Sequence, residues 1–200
     1  MSATVDFYLD FISPFGYLAR HRLAQMASRH GWDVRYHPLD LPRIKLAAGN
    51  NGPSNRQIPP KIRYLTTDLQ RWARRYGIPM VEVLPGPDTA RVNKGLFLAI
   101  DRGVADRYVE EAWNSIWRDG RDPGDEASLA GLATAMGWSA GEFLDFVASA
   151  EANQRYEESC DQAIDTGVFG VPTFIADNEI FWGNDRLEFL EDALSPDSGE

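Results

Sequence analysis

Three short segments of this 200-residue chain place reactive or polar residues at turns that regular structure would hold rigid. The first is Ser13-Pro14-Phe15-Gly16, between an alternating, aromatic-rich run from Thr4 to Phe11 and a helical pattern reaching about His30. Serine followed by proline reads as an N-cap and first helical residue. A ligand atom at Ser13 would then face a helix N-terminus, whose free N–H groups and dipole favour negative charge, a thiolate among others. The plain alternative is that Ser13 only caps the helix. The second segment is Gly170-Val171-Pro172-Thr173, before a short strand. Proline opening a strand can form a cis turn, which would leave the Val171 backbone open to an extended peptide ligand; taken in isolation, the segment favours an ordinary trans turn. The third is Trp182-Gly183-Asn184-Asp185-Arg186, before the last helix. Asn184 or Asp185 caps that helix, and their amide and carboxylate suit a head group carrying both charges.

A fourth signal is charge. The net charge is −10, which argues against nucleic acid and anionic membranes as partners. Yet from Leu41 to Lys94 ten lysines and arginines stand against three acids, Asp68, Glu82 and Asp88. That local excess suits a small anion, or else is a solvated helix face balanced elsewhere in space. His21, His30 and His37 lack metal-ligand spacing and read as surface or cap residues, so no metal is expected. The lone Cys160 excludes an internal disulfide and reads as structural. No apolar run is long enough to span a membrane, and the N-terminus lacks a secretory pattern. A soluble, cytoplasmic protein is expected.

These segments need elements to position them. Thr4–Phe11 is a strand, a helix follows to Gly31, and Asp33–Pro38 is a second strand, which makes a βαβ unit with parallel strands. Asn50–Pro53 is a loop. From Pro59 to about Gly167 the pattern is helical: an apolar stripe at Ile62, Leu65, Leu69 and Trp72, then helices capped by Asp88 and Asp125, one from Ala105 to Trp117, one opened by the capping box Ser139–Glu142, and one from about Asn153 to Asp165. Trp72, Trp113 and Trp117 sit at core positions of these helices. Thr173–Ala176 and Glu179–Trp182 are strands joined through Asp177-Asn178, a hairpin signal, and a helix from about Asp185 to Leu194 precedes a frayed tail. The expected fold is α/β. A sheet domain formed by residues 1–50 and 168–200 is interrupted by an all-helical insertion, residues 51–167.

In this order the three segments resemble the thioredoxin superfamily, in its disulfide-oxidase branch with an inserted helical domain. That branch carries Cys-x-x-Cys where this chain has Ser13 and Gly16, and the loss of both sulfurs argues against dithiol–disulfide exchange. FISPFGYLA and FGVPTFIADNEIFWGNDR resemble kappa-class glutathione transferases and, more closely, 2-hydroxychromene-2-carboxylate isomerases; DLPRIKLAAGNNGPSNR is similar to the isomerases specifically.

The resemblance implies a thioredoxin-like domain and glutathione as cofactor. It implies that Ser13 hydrogen-bonds the glutathione sulfur without itself being the nucleophile. Val171, before a cis Pro172, pairs with the cysteinyl part, and Trp182, Gly183, Asn184 and Asp185 hold the γ-glutamyl end. Lys45, Asn55 and Arg56 match the isomerases' substrate-binding positions, with Tyr8 and Asn93 as further polar contacts. The implied reaction is a cis–trans isomerisation in aromatic hydrocarbon catabolism, such as naphthalene degradation. The partners implied are a small anionic aromatic substrate and a second copy in a homodimer. One departure is Pro85-Gly86-Pro87, where some members carry a tyrosine. A broad glutathione transferase and a non-catalytic glutathione-binding module are the competing readings; the basic trio favours the isomerase.

Overall fold

A computed structural model of the chain describes residues 2–82, 86 and 88–195. Pro85 and Pro87, the expected departure from the family pattern, lie outside the described residues, as does the tail beyond Ser195.

The first strand, β1 (Thr4–Leu9), is followed by helix α1 (Pro14–His30) and strand β2 (Asp33–Pro38). The two strands are parallel, from Thr4 opposite Asp33 to Leu9 opposite Pro38. Gly31 ends α1 at φ 70°, the left-handed conformation that closes helices and that glycine adopts without penalty. At the other end of the chain, β3 (Thr173–Ala176) and β4 (Glu179–Trp182) pair antiparallel. Asp177 and Asn178 link them, both at positive φ (48° and 67°), the two-residue turn that matches strand twist. Since β3 also pairs antiparallel with β1, the sheet order is β2-β1-β3-β4. Both chain ends build one sheet.

Between them lie α2 (Leu41–Ala47), α3 (Pro59–Tyr76), α4 (Ala90–Asp101), α5 (Ala105–Trp113), α6 (Glu126–Ala135), α7 (Ala140–Ala148) and α8 (Ala150–Asp165); α9 (Leu187–Leu194) follows the sheet. Side-chain caps set several starts: Asp125 accepts from Ser128 N at 3.2 Å, Ser139 from Glu142 N at 3.4 Å and Ser149 from Ala152 N at 3.1 Å. The Ser149 cap starts α8 three residues before the expected Asn153. Sequence periodicity misses α2, which is under two turns long, although Asp40 caps it at Arg43 N and Pro42 stands in its first turn. The expected Ala105–Trp117 helix changes pitch at its end: Asn114–Arg118 is wound as a π turn.

Phe7 of β1 packs on Phe174 of β3 at 4.7 Å between ring centroids and on Trp113 of α5 at 5.8 Å. A single apolar cluster therefore runs from the sheet into the helical block. Each such fully buried aromatic contributes about 1.5–3 kcal/mol, which ties the insertion to the sheet. Among the described residues no helix is long and apolar enough to cross a membrane.

Candidate active site

Ser13 is 5% exposed and sits at the C-terminal side of β1 as the N-cap of α1. Its Oγ accepts the N–H of Gly16 at 3.1 Å, and its own N–H donates to the Asp10 carbonyl at 2.9 Å. As an acceptor the hydroxyl is engaged. Its hydrogen meets no acceptor among the described residues. Gly16 is needed here for space, since a Cβ would lie 2.8 Å from the Trp113 ring. The segment leading to Ser13 is pinned from the helical block: Trp117 Nε1 on the π turn donates to the Phe11 carbonyl at 3.0 Å, and Phe11 N donates to Asn93 Oδ1 at 3.1 Å.

The sheet register brings the second and third segments to the same corner. Tyr8 near the end of β1 pairs with Thr173 at the start of β3, so Pro172 is level with the residues leading to Ser13. The Val171–Pro172 bond is cis, as the resemblance implied, where the residues alone favoured a trans turn. Gly183 N donates to the Pro172 carbonyl at 2.9 Å, which joins the proline turn to the end of β4. Val171, half-buried, makes no backbone hydrogen bond among the described residues. Trp182 is 52% exposed and meets Phe169 edge-on at 4.9 Å. Gly183 stands at φ 113°, a backbone conformation open to glycine, and leads into a one-turn helix, Asn184–Arg186. There Asp185 is exposed and pairs with Arg186 at 3.2 Å. Asn184 is 5% exposed, and its buried Nδ2 has no hydrogen-bond partner among the described residues. It borders a cavity of about 140 Å³ shared with Arg22, Trp72, Arg75 and Tyr76. Burial there pushes the Tyr76 hydroxyl pKa up, and the adjacent Asn184 amide opposes the rise.

Lys45, Asn55 and Arg56 lie on short helices. Lys45, half-buried, is on α2 and makes no ion pair among the described residues. Asn55 and Arg56 form a one-turn helix at Asn55–Gln57, with Asn55 exposed and Arg56 half-buried. Burial lowers the Arg56 pKa from the usual guanidinium value. Asn55 lines a cavity of about 400 Å³ with Pro60, Lys61, Tyr64 and Leu65. Lys61 was counted in the basic cluster but not singled out; its place two residues after Pro59, on the first turn of α3, was the available signal.

One expected substrate contact is corrected. Asn93 is fully buried and committed, its amide donating to Asp10 Oδ1 and to the Tyr156 hydroxyl, both at 2.9 Å. Tyr8 is 7% exposed, with its ring stacked on His37 at 4.6 Å and packed in the cluster with Leu39 and Cys160. Cys160 is buried, and burial raises its thiol pKa. His30 and His37 each meet a carboxylate at 2.7 Å, from Glu191 and Asp6 respectively. Among the described residues no cluster of His, Cys, Asp and Glu could hold a metal ion.

The residue that sequence reading overlooked is Asp10, 2% exposed and directly behind Ser13. Its carboxylate accepts from Ile12 N (3.1 Å), Leu41 N (3.1 Å), Thr89 Oγ1 (2.6 Å) and Asn93 Nδ2 (2.9 Å). Burial pushes its pKa up against these bonds.

The pattern of the DSBA-like thioredoxin domain matches residues 4–195. A 2-hydroxychromene-2-carboxylate isomerase of Pseudomonas sp. (strain C18) is 45% identical over 199 residues, 98% of this chain and 93% of the relative. A solved 2-hydroxychromene-2-carboxylate isomerase superposes with a TM-score of 0.91 at 44% identity, covering 96% of this chain and 94% of that one. Glutathione S-transferase kappa 1 of Caenorhabditis elegans is more distant, 24% identical over 95% of this chain and 90% of its own. With Ser13, the cis-proline turn and the Gly183 turn at one corner of a sheet built from both chain ends, this chain belongs to the DSBA-like thioredoxin family and, within it, to the family of 2-hydroxychromene-2-carboxylate isomerases.

Proposed function

We propose that this protein is a glutathione-dependent isomerase that interconverts 2-hydroxychromene-2-carboxylate and trans-o-hydroxybenzylidenepyruvate, or a related aromatic keto acid. The observation that carries the reading is the Ser13 hydroxyl: its oxygen accepts Gly16 N–H at 3.1 Å, and its hydrogen meets no acceptor among the described residues. Such a group is set to donate, and it stands at a helix N-terminus.

The residues at this corner fit glutathione. Asn184 offers a buried donor with no hydrogen-bond partner among the described residues, beside Arg22, Arg75 and Tyr76. A buried unpaired amide is costly, and a ligand carboxylate would satisfy it. Val171 can pair with the cysteinyl part through main-chain groups that make no hydrogen bond among the described residues, while Trp182, Gly183 and Asp185 border the γ-glutamyl end. When bound, glutathione would supply a thiolate able to add reversibly to the conjugated double bond, which would let that bond rotate with no net loss of thiol. Ser13 and the α1 N-terminus favour that anion. A free thiol with pKa about 8.5 is a few per cent ionised at neutral pH, and lowering it by about 1.5 units makes half of it reactive.

Lys45 and Arg56 hold the substrate carboxylate, since cations of this kind bind planar anions by charge-assisted hydrogen bonds. Asn55 meets a remaining oxygen. Lys61, in the cavity with Asn55, is a further cation toward a carboxylate at that end.

The test is a spectrophotometric assay with 2-hydroxychromene-2-carboxylate, run with and without glutathione. Turnover that requires glutathione and leaves its concentration unchanged supports the isomerase. Consumption of glutathione would make the protein a transferase, and binding without turnover a non-catalytic module.

A further inference from the structure

Asp10 connects the two sides of the site. Its carboxylate is met by donors from three stretches of chain that are far apart in sequence: Ile12 on the way to Ser13, Leu41 at the first position of α2, and Thr89 with Asn93 at the start of α4. Its main-chain oxygen accepts from Ser13 N at 2.9 Å. Three donors fall on Oδ1, and the fourth, Leu41 N–H, falls on Oδ2. Burying a carboxylate is expensive unless its lone pairs are filled, and here each arm of the group fixes a different piece of backbone. One piece presents Ser13. Another is the first turn of α2, and Lys45 stands one turn further along that helix.

We infer that Asp10 is a positioning residue that sets Lys45 relative to Ser13, and so sets the substrate carboxylate relative to the reacting thiol. This rests on the isomerase reading above. Asp10 touches neither ligand; it acts through the Ile12–Ser13 backbone and the start of α2. A carboxylate is required because all four partners donate. In an amide of the same shape, the oxygen can keep the three donors on one side. The NH₂ group must then face Leu41 N–H, donor against donor, and α2 loses its tether.

The experiment is a kinetic double-mutant cycle on the full-length enzyme with Asp10→Asn and Lys45→Ala. Each single variant is expected to raise KM for 2-hydroxychromene-2-carboxylate about tenfold, with the glutathione half-saturation for Asp10→Asn within about threefold of wild type. The double variant is expected to be no worse than Lys45→Ala alone, because the tether has nothing left to position. Effects that multiply, or an unchanged KM in Asp10→Asn at equal folded fraction, would reduce Asp10 to a structural staple. Should Asp10→Asn fail to fold, Leu41→Pro removes the tethering N–H at a first helical position, where proline is tolerated after the extended Asp40, and keeps the other three bonds to Asp10. The same cycle then expects about a threefold rise, absent in the Lys45→Ala background. A wild type that turns over equally without glutathione overturns the isomerase reading itself, whereas glutathione-dependent turnover with multiplying effects overturns only the role of Asp10.

Discussion

At the Ser13 corner, the groups offered to a ligand are main chain or buried side chains: the α1 N-terminus, Val171, the Gly183 turn, and Ser13 and Asn184, each 5% exposed. At the cationic end they are the side chains of Lys45, Asn55, Arg56 and Lys61, half-buried or exposed, on helix ends and a single 3₁₀ turn. The first end is held by the sheet register and by Trp117 and Asn93, so its geometry belongs to the fold. The second is held by helix ends and one short turn, and on the proposed reading its affinity comes from charge that salt screens. One end suits an unvarying cofactor. The other suits a substrate, because surface cations can be exchanged without disturbing the sheet.

Substitutions at each end test this division. The largest effect is expected from Ser13→Ala, which would remove the proposed hydrogen bond to the glutathione sulfur. Turnover with saturating substrate should fall about 30-fold, equivalent to about 2 kcal/mol, and the bound thiol should titrate nearer its free value by ultraviolet thiolate absorbance. Loss of the cap should also lower stability by about 1 kcal/mol. Full turnover with an unshifted thiol would remove Ser13 from the chemistry.

A smaller and different effect is expected from Arg56→Gln: KM for the aromatic acid rises about fivefold with kcat little changed, and the gap to wild type narrows at high salt. Equal salt sensitivity in Ser13→Ala would break the comparison, since charge would then govern both ends.

The smallest effect lies outside both. Glu191 on α9 holds His30 at 2.7 Å and Arg29 at 3.1 Å, and these partners depress its carboxyl pKa, the His30 hydrogen bond first. A lowered folded-state pKa adds stability that is present above the ordinary glutamate value and lost as pH falls through the lowered one. Glu191→Gln should therefore weaken the protein by less than about 1 kcal/mol at neutral pH and flatten the loss of stability below about pH 4.5, with turnover unaffected. Thermal melts across the acid range measure it.

Asp10 shows how a residue central to the site can be hidden in plain view. In the run TVDFYLDF it falls in step with Thr4, Asp6 and Tyr8, so alternation assigns it to the polar face of a strand. The strand stops at Leu9, and Asp10 turns inward instead. Asn93 was misread for a related reason: a polar residue in an apolar helix near a basic cluster suggests a ligand contact, and only the packed structure supplies Asp10 and Tyr156 as its partners. Helix α2 was missed because its seven residues are too few for periodicity, even with Asp40 and Pro42 at its start. Cys160 was read correctly, since one cysteine in a helical pattern needs no partner to be structural.

What the sequence determined alone are features that close within about four residues. Ser13 accepting from Gly16 N, the turn at Asp177-Asn178 and the Gly31 helix end all follow from neighbouring sterics and hydrogen bonds. What tertiary structure decided are contacts between distant parts of the chain. Asp10 meets Leu41 across 31 residues and Thr89 across 79, and Trp117 reaches Phe11 across 106. Such pairings depend on which buried groups find donors once the core has closed, and no local pattern encodes that choice.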